Sequence, residues 1–371
     1  MRLKSLRARG FRNLGDLHLS TDASLVLFHG ENGQGKTNLL EAIYLLATLK
    51  SFRTRKNREL VNTACETARL DGLVEADGLT RQFSVDLSNR SRKGQVDGKP
   101  PRDLPTYFLG IRAVLFAPEH LEIIRGQPER RRSFVDRAVF TARPAYLSLY
   151  RDFRHLLNQK SALLRSGSHD PLQLDVLDAQ LAHLGARISF QRSEILAEME
   201  TPFREMHALI AEGSTVELGI RSCLGEGDVD QRQEAYLALL SDSREEECRR
   251  EMNLVGPQRD DLQIRLDDKP SRAFASQGQA RSLVLALKLA ELCAAQQRRE
   301  RPLFLLDDLG SELDRGRRER LVQLLEQLEV QCFITSTDPE LLRELEAKQV
   351  VEVEVVEGQA IEASRRVREA R

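Results

Sequence analysis

Apolar and polar positions divide the chain into stretches of different period. Over residues 2–29 they alternate and turn as β structure: Leu3 to Ala8, Leu14 to Leu19 and Ser24 to His29, with Phe11-Arg12-Asn13 in the first turn. From Asn38 to Ala47 apolar residues recur at helical spacing. Residues 69–76 and 80–88 read as a strand pair, and Arg90 to Lys99 as a polar hairpin end turning at Asp97-Gly98. Arg112 to Ala117 is a further strand, ended by Pro118. Residues 143–213 are mostly helical. There Leu174, Leu177, Leu181, Leu184 and Ile188 keep one apolar face of a helix expected from Leu172 to Thr201, which Pro202 ends or kinks. Core packing explains that stripe better than a coiled coil, which needs about three to four clean heptads. A strand at 215–222, a helix at 230–252 and a strand at 261–267 follow. The last third alternates: helix 279–297, strand 302–306, helix 315–329, strand 331–336, helix 339–347, strand 349–356. That order predicts an α/β fold with a largely parallel sheet. Ser364 to Arg371 reads as a frayed basic tail.

Composition narrows the classes. The 371 residues are enough for two or three lobes and a large core. A net charge of −1 with 30% charged residues gives no global pull toward nucleic acid, so any such contact must come from local patches. The five cysteines are scattered without a C-x-x-C pair, which argues against a disulfide frame or zinc site and fits a reducing cytoplasm. No run approaches the ~18 apolar residues of a membrane span. Ser51 to Arg58 carries Arg53, Arg55, Lys56 and Arg58 with no acid before Glu59. The segment is either a solvated face or a set of phosphate contacts. The Arg130-Arg131-Arg132 cluster likewise either binds phosphates or pairs with nearby acids.

The chemistry concentrates at Gly30-Glu31-Asn32-Gly33-Gln34-Gly35-Lys36-Thr37, between an apolar strand and a helix. In that context the glycines let backbone N–H groups converge on a phosphate, and the helix start adds its positive end. Lys36 reaches the β/γ-phosphates of ATP or GTP, and the Thr37 hydroxyl ligates Mg²⁺. Far downstream, Leu303 to Leu306 delivers Asp307 and Asp308 at a strand's C-terminal end. Asp307 has the form of the acid that holds Mg²⁺, and Asp308 that of a group orienting the attacking water. Most of the chain separates Lys36 from Asp307, so a large insert interrupts one nucleotide-binding sheet, as in ABC-type ATPases. Ahead of Asp307, Ser276-Gln277-Gly278-Gln279 opens a helix. It is a capping box by pattern and, by position, a signature loop in which Ser276, Gly278 and Gln279 face a nucleotide. Ser311-Glu312-Leu313-Asp314 resembles a D-loop, and Thr337 stands where an ABC switch histidine would.

These blocks occur in one order, together with Gly126-x-Pro128-x-x-Arg131-Arg132-x-Phe134-Val135-Asp136. In this the chain resembles the RecF family of bacterial recombination and replication-repair proteins over nearly its whole length. The resemblance implies an ABC-type head without a long coiled coil. Residues 1–116 with 300–371 would form the ATP-binding lobe, and 117–299 a mainly helical lobe carrying the signature loop. It implies that Arg12 and Asn13 join the nucleotide site and that ATP drives homodimerisation, with Ser276 and Gly278 acting in trans. It further implies binding to gapped or junction DNA, slow hydrolysis, work with RecR and RecO to load RecA, and support of the SOS response. A transporter-type ATPase subunit is the alternative.

Overall fold

A computed structural model of the chain describes residues 1–167, 170–211, 213–308, 315–337 and 349–367. The expected helix at 339–347, Asp338 and the segment Ser311 to Asp314 lie outside the described residues. The chain divides into two compact units, one of Met1–Leu121, Glu205–Gly213 and Arg281–Arg371, the other of Glu122–Arg204 and Ser214–Ala280. The stretch 281–299, expected with the helical lobe, thus lies in the first unit.

The first unit holds two sheets. Strands β1 (Arg2–Arg9), β2 (Leu17–Ser20), β4 (Thr67–Ala76), β5 (Leu79–Ser88) and β6 (Arg92–Val96) form an antiparallel sheet in the order β2-β1-β4-β5-β6. The second sheet runs β14 (Gln359–Val367), β13 (Gln349–Val356), β3 (Leu25–His29), β12 (Cys332–Ser336), β11 (Leu303–Leu306), β7 (Ala113–Phe116). Its neighbours are parallel except β13 and β14. Helix α1 (Lys36–Thr48) packs on β4 and β5 of one sheet and on β7, β11 and β12 of the other. Covered by two sheets, it is buried all round from Leu39 to Ala47. Gln331, 2% exposed, ties the sheets together. Its side chain accepts from Leu3 N at 2.7 Å and donates to Leu3 O and Ala23 O. Two expectations are corrected here. Arg92–Val96 is a paired strand of the sheet rather than a hairpin end, in register with Phe83–Leu87. Residues 364–367 belong to β14 rather than to a frayed tail, because β13 offers them a complete antiparallel partner.

The second unit is mainly helical. It contains α4 (Pro128–Ala142) after the short α2 (Leu104–Gly110, first unit) and α3 (Glu122–Arg125). Then come α5 (Tyr146–Arg165), most of α6 (Pro171–Ile210) and α7 (Val229–Arg250). A small antiparallel sheet of β8 (Val216–Arg221), β9 (Asp261–Leu266) and β10 (Lys269–Pro270) completes it, with α8 (Ser271–Phe274) and the start of α9 (Gln277–Gln297). α6 does not end at Pro202 but runs 40 residues through it. Proline costs an interior helix about 3 kcal/mol, and the buried Phe203, Met206 and Ile210 beyond it offset that loss. Charged side chains are sealed between these elements. Lys160 lies between Asp178 and Glu247 at 2.6 Å each. Arg192, wholly buried, donates to Asp136, Asp260 and Pro257 O. The first unit also holds α10 (Arg315–Gln327).

Candidate nucleotide site

β3 occupies the middle of the parallel sheet, and its C-terminal end opens into the glycine loop. Gly30, Gly33 and Gly35 take φ of 143°, 82° and 116°, which only glycine adopts freely. The loop therefore curls tightly before α1 begins at Lys36. Lys36 is 8% exposed, and its ammonium donates to Gly30 O at 2.8 Å and Glu31 O at 2.7 Å. Burial lowers its pKa, opposed by the carboxylates of Asp308 and Asp307.

The two halves of the site meet through hydroxyls. Thr37 donates to Asp307 Oδ1 at 3.0 Å, and Thr335 donates to the same oxygen at 2.7 Å. Thr335 Oγ1 also accepts from Asp308 N at 2.8 Å, which holds the turn where Asp308 takes φ 58°. Asp307 is 5% exposed. Burial raises its pKa, the Thr335 and Thr37 hydroxyls act against that, and the negative charges of Glu119 and Asp308 add to it. Thr335 joins the site although sequence reasoning did not single it out; Thr337, expected at the switch position, is exposed. The parallel register was the available signal: Leu306 pairs with Ile334, so the next residues, Asp307 and Thr335, stand level.

A second cluster flanks the loop. Arg12, at φ 51°, forms a two-pronged pair with fully buried Glu41, Nε at 2.8 Å and Nη2 at 2.9 Å. Ser51 Oγ donates to the same carboxylate, and Arg53 Nη1 stands 3.7 Å from it while donating to Asn38 Oδ1 at 2.8 Å. Asn13 donates to Gly33 O and accepts from Asn38. Arg12 and Asn13 thus lie beside the glycine loop, and Arg53, expected at a nucleic-acid face, is drawn to the same cluster. Arg55, Lys56 and Arg58 are exposed, with Lys56 paired to Glu59 at 3.3 Å. Gln34 faces the other way. Its backbone O accepts from Gly358 N at 2.9 Å and its side-chain Oε1 from Glu357 N at 2.6 Å, in the turn between β13 and β14.

In the second unit the capping box forms: Ser276 N donates to Gln279 Oε1 at 2.8 Å and Gln279 N to Ser276 Oγ at 3.2 Å. Ser276, Gly278 and Gln279 are exposed. Of the arginine cluster, Arg131 grips Asp261 with Nε and Nη2 at 2.6 and 3.0 Å, and Arg130 pairs with Glu122. Arg132 donates to Asp260 O at 2.8 Å.

Residues 2–362 match the family described as RecF/RecN/SMC N terminal domain. The chain is 40% identical to the DNA replication and repair protein RecF of Geobacter metallireducens, covering 92% of this chain and 94% of that one. It is 39% identical to RecF of Myxococcus xanthus, covering 97% of each. Among solved structures, the recombination mediator protein RecF-ATPrS in the RecFOR pathway superposes with TM-score 0.86 at 29% identity over 98% of both chains. An SMC head bound to the C-winged helix domain of ScpA superposes at 0.59 with 13% identity, a likeness of fold alone. A P-loop facing Asp307, the ABC-type head fold and whole-chain relatives agree, and this chain belongs to the RecF family of DNA replication and repair proteins.

Proposed function

We propose that the chain is an ATP-dependent DNA-binding protein of recombinational repair, in which nucleotide binding closes a homodimer and hydrolysis reopens it. One observation carries the reading: the hydroxyl of Thr37 and the carboxylate of Asp307 meet at 3.0 Å beside the glycine loop. A hydroxyl and a carboxylate are oxygen donors of the kind Mg²⁺ takes beside nucleotide phosphates, so the residues fit that ion. Mg²⁺ supplies charge neutralisation of the β- and γ-phosphates when bound. Lys36 then exchanges Gly30 O and Glu31 O for phosphate oxygens. Backbone N–H groups of residues 31–37 cradle the phosphates, and Arg12 and Asn13 line the flank. Asp308 orients the attacking water, and Thr337 hydrogen-bonds the γ-phosphate. Ser276, Gly278 and Gln279, solvent-facing at a helix start, serve the nucleotide of a second copy.

The finer roles rest on the same reading: binding of gapped or junction DNA with Arg53, Arg55, Lys56 and Arg58, cooperation with RecR and RecO in loading RecA, and support of the SOS response. RecF relatives bear names that tie them to replication, repair and the RecFOR pathway. Family membership displaces the transporter-type alternative. The test is sedimentation with ATP and Mg²⁺, with and without a short gapped duplex. A shift from monomer to dimer with ATP, co-sedimentation with DNA, and loss of both in Lys36→Ala are the expected results. A chain that stays monomeric with ATP bound overturns the proposed switch.

A further inference from the structure

The nucleotide site leaves unused the two segments 126–136 and 256–261, which meet in the second unit. They border a cleft of about 280 Å³ lined by Gln127, Arg132, Arg221, Gln258, Arg259 and Asp261, with Glu129 also at its edge. Three arginines therefore line one small space. Of the nearby carboxylates, Asp261, Asp136 and Asp260 are already engaged, and Glu129 stands exposed at the edge. Asp261 receives both prongs of Arg131, while Asp136 and Asp260 accept from Arg192 at 2.8 and 2.9 Å. The Arg221 side chain has no hydrogen bond or ion pair among the described residues, and the Arg259 side chain has only Nη2 to Asn253 O at 2.9 Å. Arg132 is half-buried. Burial and then the charge of Arg192 lower its pKa, so an added anion would relieve it.

The backbone behind these groups is closely held. Arg192 clamps Pro257 O and Asp260. Gly256, at φ 118°, packs so closely that a Cβ there would stand 2.0 Å from Tyr236 Oη. Guanidinium groups carried on one held backbone reach an oxyanion at a lower ordering cost than scattered ones. Among the described residues no aromatic side chain lines the cleft, so it offers no stacking surface for a base. Its chemistry suits a phosphate and the adjoining sugar, a contact that positions without reading sequence.

We propose that this arginine cleft is a phosphodiester-binding site that seats the backbone of a nucleic acid on the second unit. The proposal deepens the DNA-binding reading above and rests on it.

The test uses the full chain with ATP and Mg²⁺, and the anisotropy of a fluorescent 30-base-pair duplex read across a KCl series. Each phosphate contact contributes about 0.9 to the slope of log K against log salt. The double variant Arg221→Ala/Arg259→Ala is expected to lower that slope by ~1–2 and weaken binding about tenfold or more at physiological salt. Arg221→Lys/Arg259→Lys keeps most of the slope, since lysine neutralises phosphate as a point charge. Arg151→Ala/Arg165→Ala removes two exposed charges elsewhere on the unit and serves as control. An Ala double variant that matches wild type, or a control that loses as much slope, overturns the cleft while leaving DNA binding standing. A wild-type chain that binds no duplex at low salt overturns the DNA-binding reading, and this occupant with it.

Discussion

Glu41→Gln tests how the flank of the nucleotide loop is held. Glu41 has no exposed surface, and its two oxygens take Arg12 Nε at 2.8 Å, Arg12 Nη2 at 2.9 Å and the Ser51 hydroxyl. The amide is nearly the same size, so little cavity forms. It lacks the charge, however, and turns an N–H group toward a guanidinium that can only donate. Removing one partner of a buried pair costs about 3–5 kcal/mol. The Arg12 side chain is 17% exposed and can recover some water, which favours the lower end. A loss of about 3 kcal/mol lowers the melting temperature of a unit of this size by ~6–12 °C. Arg12 and Asn13 then lose their fixed approach to Gly33, and ATP affinity is expected to fall about tenfold, ~1.4 kcal/mol. Calorimetric melting and nucleotide titration read the two effects separately. The conservative double variant Arg12→Leu/Glu41→Leu should recover stability without recovering ATP affinity. A Glu41→Gln protein that melts within a degree of wild type and binds ATP equally would refute the reasoning.

Three further outcomes are expected. Thr335→Val removes a donor to Asp307 and an acceptor for Asp308 N, costing about 1–3 kcal/mol for the groups left unpaired. It should slow ATP turnover more than it weakens ATP binding in single-turnover assays. Burial raises the Asp307 pKa above its ordinary value of 3.8, so this group favours the fold at acid pH, and that contribution is lost as pH rises through the raised value. Asp307→Asn should therefore raise the nucleotide-free melting temperature at pH 7.5, by a margin that shrinks toward pH 4, while abolishing Mg²⁺-dependent hydrolysis; an unchanged melting point across that range would count against the burial argument. Gly358→Ala places a Cβ 2.0 Å from Asn13 O at φ 76°, and should cost at least ~1 kcal/mol and weaken ATP binding; normal binding would show the turn to be irrelevant to the loop.

Local pattern made the nucleotide half of the chain legible. The glycine loop, the strand ending at Asp307 and, among the described residues, the alternation after 279 carry their period and turn residues on their face, and the structure follows them within a few residues. What escaped was set by partners distant in sequence. Arg92–Val96 is too polar to read as a strand, yet β5 supplies its hydrogen bonds. Residues 364–367 looked like a charged tail because nothing local reveals that β13 turns back on them. The proline at 202 signals an end or a kink, and buried side chains beyond it carry the helix onward. At the site, Thr335 and Glu41 are ordinary residues of a strand and a helix until register and folding set them against Asp307 and Arg12. The arginines at 131 and 132 could not be sorted from phosphate binders by sequence, since their acceptors, at 260 and 261, lie half the insert away.

β3 is made early, yet its sheet neighbours β12 and β13 come from the last tenth or so of the chain, and Gln34 waits for the turn at Glu357-Gly358. On the ribosome, both edges of an apolar strand and a tightly curled loop remain without these partners until Cys332–Ser336 and Gln349–Val356 have been made. Such late closure makes the nascent first unit dependent on protection from aggregation. It also couples the loop to elongation: until residues 357 and 358 are made, the backbone and side-chain oxygens of Gln34 lack the two N–H groups that hold them.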